Sequence, residues 1–346
     1  MEISTFFEYS TKTIINSGAG SRVMLPSLIK RLGGSRAILF TDKGLNQAGV
    51  TEKITELFAE MSVPVQLVGV FDEIEQDARA KTVNKAIKMV KELNGDTLLA
   101  LGGGSVLDTV KAVRWALQRG HNEVEKVLTF SIKEQWHEAE ENTIPIIAIP
   151  TTAGTGSEVS TAALVYNEEL KLKTALTSPY LCPDIALLDP ELSVGLPPRI
   201  TAFTGMDALT HAIEGYFSPR ANPITDAYAI QAARLIADNL PTAVKQGTDV
   251  DARAKMLMAS SMAILAFTLT TSVIPVHNLA HVFGAKYGVP HGLANAVLLP
   301  EVMGAMPALY LPRIQEFAAH LGIVETSQKQ GKLPKRSGIV YSEFKR

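Results

Sequence analysis

The chain has 346 residues, 46% of them apolar and 20% charged, which is enough for a large core and for two domains. Its 33 basic and 35 acidic residues are spread along the sequence and sum to -2, so there is no basic field for nucleic acid or anionic lipid, and a small molecule is the expected partner. The single cysteine, Cys182, excludes an intrachain disulfide and a thiolate cluster, so any metal must take nitrogen and oxygen ligands.

The opening stretch "MEISTFFEYSTK" has an acid where a signal peptide has a base. No purely apolar run reaches the roughly eighteen residues of a membrane span. Both features point to a cytoplasmic protein with no membrane segment.

From there to residue 190, short apolar runs alternate with longer amphipathic ones. "AILFT" (37–41), "VQLVGV" (65–70), "LLAL" (98–101), "PIIAI" (145–149) and "IALLD" (185–189) read as strands, each bounded by Gly, Pro or Asp. "ARAKTVNKAIKMVKELNG" (78–95) reads as a helix with Val83, Ile87 and Val90 on its apolar face and Gly95 ending it. Strands alternating with helices imply a mostly parallel sheet covered on both faces.

Three strand ends carry chemistry. A helix follows "LLALGGGS", in which Gly102, Gly103 and Gly104 would let backbone N–H groups approach a phosphate and Ser105 opens the helix. A tight turn without a ligand is the alternative, and the spacing is not the GxGxxG fingerprint. "IPTTAGTGSEVS" (149–160) supplies Thr151, Thr152 and Thr155 at a second strand end, and two such turns on one end of a parallel sheet are where these sheets bind ligands. Asp42, after "ILFT", can accept from a ribose diol and repel a 2′-phosphate, although Asp-Lys-Gly is also an ordinary turn.

After "DPELSVGLPPR" (189–199) the strand signal stops, which places a domain boundary at Asp189: residues 1–189 read as an α/β dinucleotide-binding domain and 190–346 as an all-helical domain. Helices are expected over 225–240 and 251–267, capped at Thr225-Asp226 and Asp251. Asp207 and His211 stand four residues apart in an apolar setting, as do His277 and His281, so each pair shares a helix face. His291 follows on a loop or the start of another helix. Together they form a nitrogen and oxygen set suited to Fe(II) or Zn(II), with spacing alone selecting His277 and His281 as the chelating pair. Ordinary core histidines satisfied by polar neighbours are the alternative. His121, His137 and His320 have no such company and read as surface residues.

"TDKGL", "GGGSVLDTVKA", "PTTAGTGSEVS", "DPEL", "TGMDALTHAIEGY" and "HNLAHVFGAKYGVPHGLANAVLLPEVM", in this order across residues 37 to 303, closely resemble the iron-containing (group III) alcohol dehydrogenase family. The resemblance implies an amino-terminal Rossmann-like domain of the dehydroquinate synthase-like two-domain plan, a carboxy-terminal helical metal-binding domain and an active site between them. It implies Asp207, His211, His277 and His291 as metal ligands, with His281 as the catalytic substrate or proton-transfer residue, and so overrules the spacing argument. It assigns Gly102, Gly103, Gly104, Ser105, Asp108, Thr151, Thr152, Thr155 and Lys173 to the cofactor and makes Asp42 the acid associated with NAD. The implied reaction passes hydride between NAD(H) and a small alcohol, aldehyde or ketone, with a divalent ion, Fe(II) or Zn(II), as Lewis acid. A homo-oligomer is expected.

The chain departs from the family pattern at three places. Asp77-Ala78 stands where many members have Asn-Pro near the cofactor, and Ala162 stands where a polar residue often sits, which favours simple alcohols over polyols. The basic tail (326–346) does not resemble the helices that usually follow, so a folded protein of low activity is expected. The alternatives are a glycerol dehydrogenase or dehydroquinate synthase-like enzyme, or a cofactor-binding protein with little turnover.

Overall fold

The structure is a computed structural model that describes residues 7, 9–60, 65–134 and 144–323. The chain begins β1 (Ile14–Ser17), α1 (Leu25–Arg31), β2 (Arg36–Phe40), α2 (Lys43–Gln47), α3 (Glu52–Glu60), β3 (Gln66–Phe71), α4 (Ala80–Leu93), β4 (Thr97–Gly102) and α5 (Gly104–Gln118). It continues through β5 (Ser131–Lys133), β6 (Ile146–Pro150), β7 (Ala162–Asn167), β8 (Leu172–Thr177) and β9 (Ile185–Leu188). Helices follow: α6 (Pro198–Tyr216), α7 (Pro223–Lys245), α8 (Val250–Thr270), α9 (Pro275–Tyr287), α10 (His291–Ala305) and α11 (Pro307–His320).

Six strands form one parallel sheet in the order β1-β9-β6-β4-β2-β3. Alternation along the strands divides the core. Ile38, Phe40, Leu98, Ala100, Ile146 and Ala148 face α4 and α5, while Ala37, Leu39, Leu99, Leu101, Ile147 and Ile149 face α1 and α3. With both faces covered, these strands are apolar throughout rather than alternating. The order reverses between β2 and β4, and a parallel sheet opens a crevice beyond the carboxyl ends of its strands at such a point.

Several local expectations differ from the outcome. The helix expected at residue 78 begins at Ala80, because Asp77 and Ala78 adopt φ of 74° and 43°, outside the helical region. It ends on Asn94 in the left-handed conformation rather than on Gly95. Gly95 is needed for close approach instead, since a Cβ there would lie 2.4 Å from Ile38 Cδ1. The residue before α5 is Gly103, with Ser105 already inside the helix. Asn222 caps α7 with a reciprocal Thr225 contact, and Asp249 caps α8. The small sheet β5-β8-β7 was not anticipated; its β7–β8 hairpin turns through Lys171 at φ 53°.

Helices α6, α7 and α8 share a core through Ala212, Tyr216, Ala232, Ile236, Met256 and Ala263. By length and composition α8 could cross a membrane, against the expectation that no segment would. Most of its apolar window is packed inside the protein, and Arg253, Ser260 and Ser261 on it are buried.

Candidate metal centre and cofactor cleft

Neighbouring strands bring the two Gly/Thr turns together. In the β4–β6 register Gly102 is opposite Pro150, and Thr151 N donates to Gly102 O at 3.1 Å. The turns then pack face to face with no room for side chains. A Cβ on Gly103 would lie 3.2 Å from Thr152 Oγ1, and one on Gly104 would lie 2.7 Å from Thr155 Cγ2. Gly154 backs onto Thr204 of α6 and Gly156, at φ 60°, onto Ile264 of α8, so the Thr turn is wedged between the sheet and the helices.

Around this wedge, Ser105 Oγ accepts from Asp77 N at 3.1 Å and Lys173 Nζ meets Asp77 Oδ1 at 2.5 Å. Asp108 lies beneath, Oδ1 accepting from Ser157 Oγ at 2.6 Å and Oδ2 from Leu164 N at 3.0 Å. Both Asp108 oxygens are thus held by protein donors. Asp42 follows the end of β2, bridged to Glu73 and capping α2 through Leu45 N at 2.9 Å.

The acid and imidazoles converge from three helices. Asp207 and His211 lie on α6, His277 on the first turn of α9 and His291 at the start of α10. Ligand atoms of Asp207, His211 and His277 all lie within 4.8 Å of one another, and all three residues are buried. His291 Nε2 is 3.5 Å from Asp207 Oδ1 but falls outside that mutually close set. His281, the partner that spacing selects, also falls outside it; its ring stacks on His291 at 4.7 Å. The rings of His211 and His277 stack at 4.4 Å, and Phe267 covers both at 4.9 and 4.7 Å.

Charge in this pocket is strongly organised. Burial alone would raise the Asp207 carboxyl, but His211, His277 and His291 outweigh it and hold it far below the carboxylate range. Burial is also the main reason that His211 and His281 are both pushed down to about 3. His277 goes the other way: burial opposes its protonation, yet contacts to Asp207 and Glu214 lift it to about 9. Without a metal, the pocket therefore carries its compensating positive charge as a proton on His277. A divalent ion fits this donor set. His211 Nδ1 and His277 Nε2 are buried with no hydrogen-bond partner, and such orphans in a native core call for an explanation.

Four residues that sequence reasoning missed complete the site. Glu214 binds His277 Nδ1, and Asn295 Nδ2 donates to Asp207 Oδ1 at 2.7 Å. Buried Lys111 donates to Ser157 Oγ at 2.7 Å, Ser160 O at 3.0 Å and Ala162 O at 2.9 Å, bracing the Thr turn. Glu158 accepts from Ser261 Oγ of α8 at 2.6 Å. The available signal was a charged or amide side chain inside an apolar helix or turn, which needs a buried partner. Of the remaining histidines, His320 is exposed, His121 packs 5.3 Å from the Trp115 ring, and His137 lies outside the described residues, as does the tail 326–346. Cys182 is a buried free thiol, pushed up by that burial.

Comparison with known proteins matches two family models. Residues 12–190 match "Iron-containing alcohol dehydrogenase", and residues 201–335 match "Fe-containing alcohol dehydrogenase family, C-terminal". Alcohol dehydrogenase 4 of Schizosaccharomyces pombe is 35% identical over 327 residues, covering 94% of this chain and 74% of that protein. A crystal structure of a 1,3-propanediol oxidoreductase superposes with a TM-score of 0.84 at 35% identity, covering 94% of this chain and 82% of the other. Sulfoacetaldehyde reductase from Bifidobacterium kashiwanohense, solved with NAD+, gives 0.80 at 26% identity, covering 99% and 93%.

Proposed function

The chain belongs to the iron-containing alcohol dehydrogenase family and is a metal-dependent oxidoreductase acting on small alcohols and aldehydes; from that premise we propose which residues carry the reaction. Asp207, His211, His277 and His291 hold the divalent ion, Fe(II) in the first place and Zn(II) in the second. NAD(H) would be held by the Gly102–Ser105 turn together with Thr151, Thr152, Thr155 and Lys173. Asp42 sets the preference for NAD by excluding a 2′-phosphate.

When bound, the ion supplies Lewis acidity for the substrate oxygen. The chain's own part is geometric and protonic. The packed Gly/Thr turns form a rigid wedge against α6 and α8 that would hold the cofactor in one orientation, reducing the entropy of bringing hydride donor and acceptor together. Phe267 caps the imidazole stack and keeps water from one side of the cluster. His281 stacks beside His291 at the edge of the cluster, and burial pushes it down to about 3, so it is neutral but a weak base, suited to passing the alcohol's proton onward rather than holding it. A homo-oligomer is supported by the exposed Ile14 and Ile15 on β1 at the sheet edge.

The observation that carries this reading is the convergence of Asp207, His211 and His277, with two orphaned ring nitrogens, beside two glycine turns that exclude side chains. The test is NAD reduction by a panel of primary alcohols after anaerobic reconstitution with Fe(II) or Zn(II). Turnover is expected with NAD, weaker turnover with NADP, and a relaxed preference in Asp42→Gly. The helix cap at Asp42 makes that substitution mild for stability, a few tenths of a kcal/mol being about the cost of glycine for aspartate. Cofactor binding without turnover on any alcohol, with metal bound, would leave the non-catalytic alternative standing.

A further inference from the structure

Glu214 lies on α6 three residues beyond His211 and is 2% exposed. A carboxylate so deep in an apolar helix bundle needs donors, and among the described residues they come from the first turn of α9. Val276 N donates to Oε1 at 2.7 Å, His277 N lies 3.4 Å from Oε2, and His277 Nδ1 is bonded to Oε2. Helix α9 has no side-chain cap of its own at Ile274. Glu214 therefore does from another helix what an N-cap does, satisfying orphan N–H groups at a positive helix end. The same oxygen that reaches the backbone also reaches the imidazole.

We propose that Glu214 is the positioning residue of the metal centre: it holds a proton on His277 Nδ1 and so turns Nε2, the nitrogen that an ion would take in exchange for its proton, toward Asp207 and His211. The geometry has few alternatives. With Nδ1 committed to Glu214, the free Nε2 lies 3.6 Å from Asp207 Oδ1 and has no partner of its own. One helix thus supplies two ligands, Asp207 and His211, together with the carboxylate that aims the third. An imidazole that donates its far N–H to a carboxylate is also the more basic ligand, and loss of such a partner typically weakens metal affinity about 10- to 100-fold. A glutamine could not substitute. Its amide N–H2 would donate to Nδ1, moving the ring proton to Nε2, or its single oxygen would have to serve both the backbone and the ring.

This inference rests on the ligand set proposed above, and its test separates the two. The probe is Co(II) added to metal-stripped chain, with affinity from chelator competition and geometry from the visible absorption bands. The parent is expected to bind, and Glu214→Gln to bind about 10- to 100-fold more weakly with altered bands. If Glu214→Gln lowers the melting temperature of the stripped chain but leaves Co(II) affinity and bands unchanged, Glu214 is only a helix cap and the inference is overturned. A parent that takes up no Co(II) overturns the ligand set and this inference with it. Should Glu214→Gln fail to fold, 15N chemical shifts of the histidine rings in the Zn(II)-loaded parent decide. A proton on His277 Nδ1 is expected, and its absence refutes the assignment.

Discussion

Asn295 donates through Nδ2 to Asp207 Oδ1 at 2.7 Å, and the same nitrogen lies 3.2 Å from His291 Nε2. The amide stands between the carboxylate and the fourth proposed ligand, while its own Oδ1 has no partner. Asn295→Asp would place a second carboxylate against a buried one, which is unfavourable unless a cation sits between them. Replacing the donor should destabilise the metal-free chain by about 1–3 kcal/mol. Saturating Zn(II) should restore more stability to the variant than to the parent. Thermal melts with and without Zn(II) measure this, and an equal deficit in both conditions would mean that no ion binds beside Asn295.

Much of the α/β half was legible because its strands are buried on both faces, and continuous runs such as Leu98–Leu101 cannot be mistaken for surface. The β7–β8 hairpin escaped for the opposite reason. Its alternation is only half-buried and its turn, "NEELK", uses Lys171 rather than glycine in the left-handed conformation. In the site, the Asp207/His211 spacing was readable as one face of one helix. The link from Asp207 to His277 was not, since it depends on how α9 packs against α6 and no local period reports that. The resemblance supplied it. Glu214 and Asn295 went unread because their partners are likewise on other helices.

The ion pair of Lys173 with Asp77 engages the cation proposed to meet the cofactor. Asp77 holds a left-handed φ of 74° next to Ala78 at 43°, a region that alanine seldom enters and that aspartate and asparagine tolerate. The two side chains are 24% and 39% exposed, so their attraction is worth up to about 1 kcal/mol. Asp77→Asn keeps the shape, suits the φ and frees Lys173, and should lower KM for NAD by up to about fivefold with little change in kcat. Lys173→Met should raise KM. Steady-state kinetics with varied NAD decide, and an Asp77→Asn variant with raised KM would mean that the pair serves the cofactor intact.

Stability of the metal-free chain should peak near pH 6.5. His211 and His281 have folded values of about 3 against an ordinary 6.5, so as pH falls the unfolded chain binds those protons first. Their neutral burial is thus stabilising above 6.5, and that contribution is lost progressively from pH 6.5 toward 3. His277 has a folded value of about 9, so its contribution is complete below 6.5 and is lost as pH rises through 9. His291 is pushed down as well, so three imidazoles act on the acid side and one on the alkaline side, which makes the acid limb the steeper. His281→Asn should flatten the acid limb while leaving the alkaline limb in place. Zn(II) binds only the folded form and should raise the whole curve, most on the alkaline side, where His277 gives up the proton with which the ion competes. Urea unfolding of the stripped chain at pH 5, 6.5 and 9 tests the shape, and a stability that rises steadily from 5 to 9 would show that His277 does not hold a proton between Asp207 and Glu214.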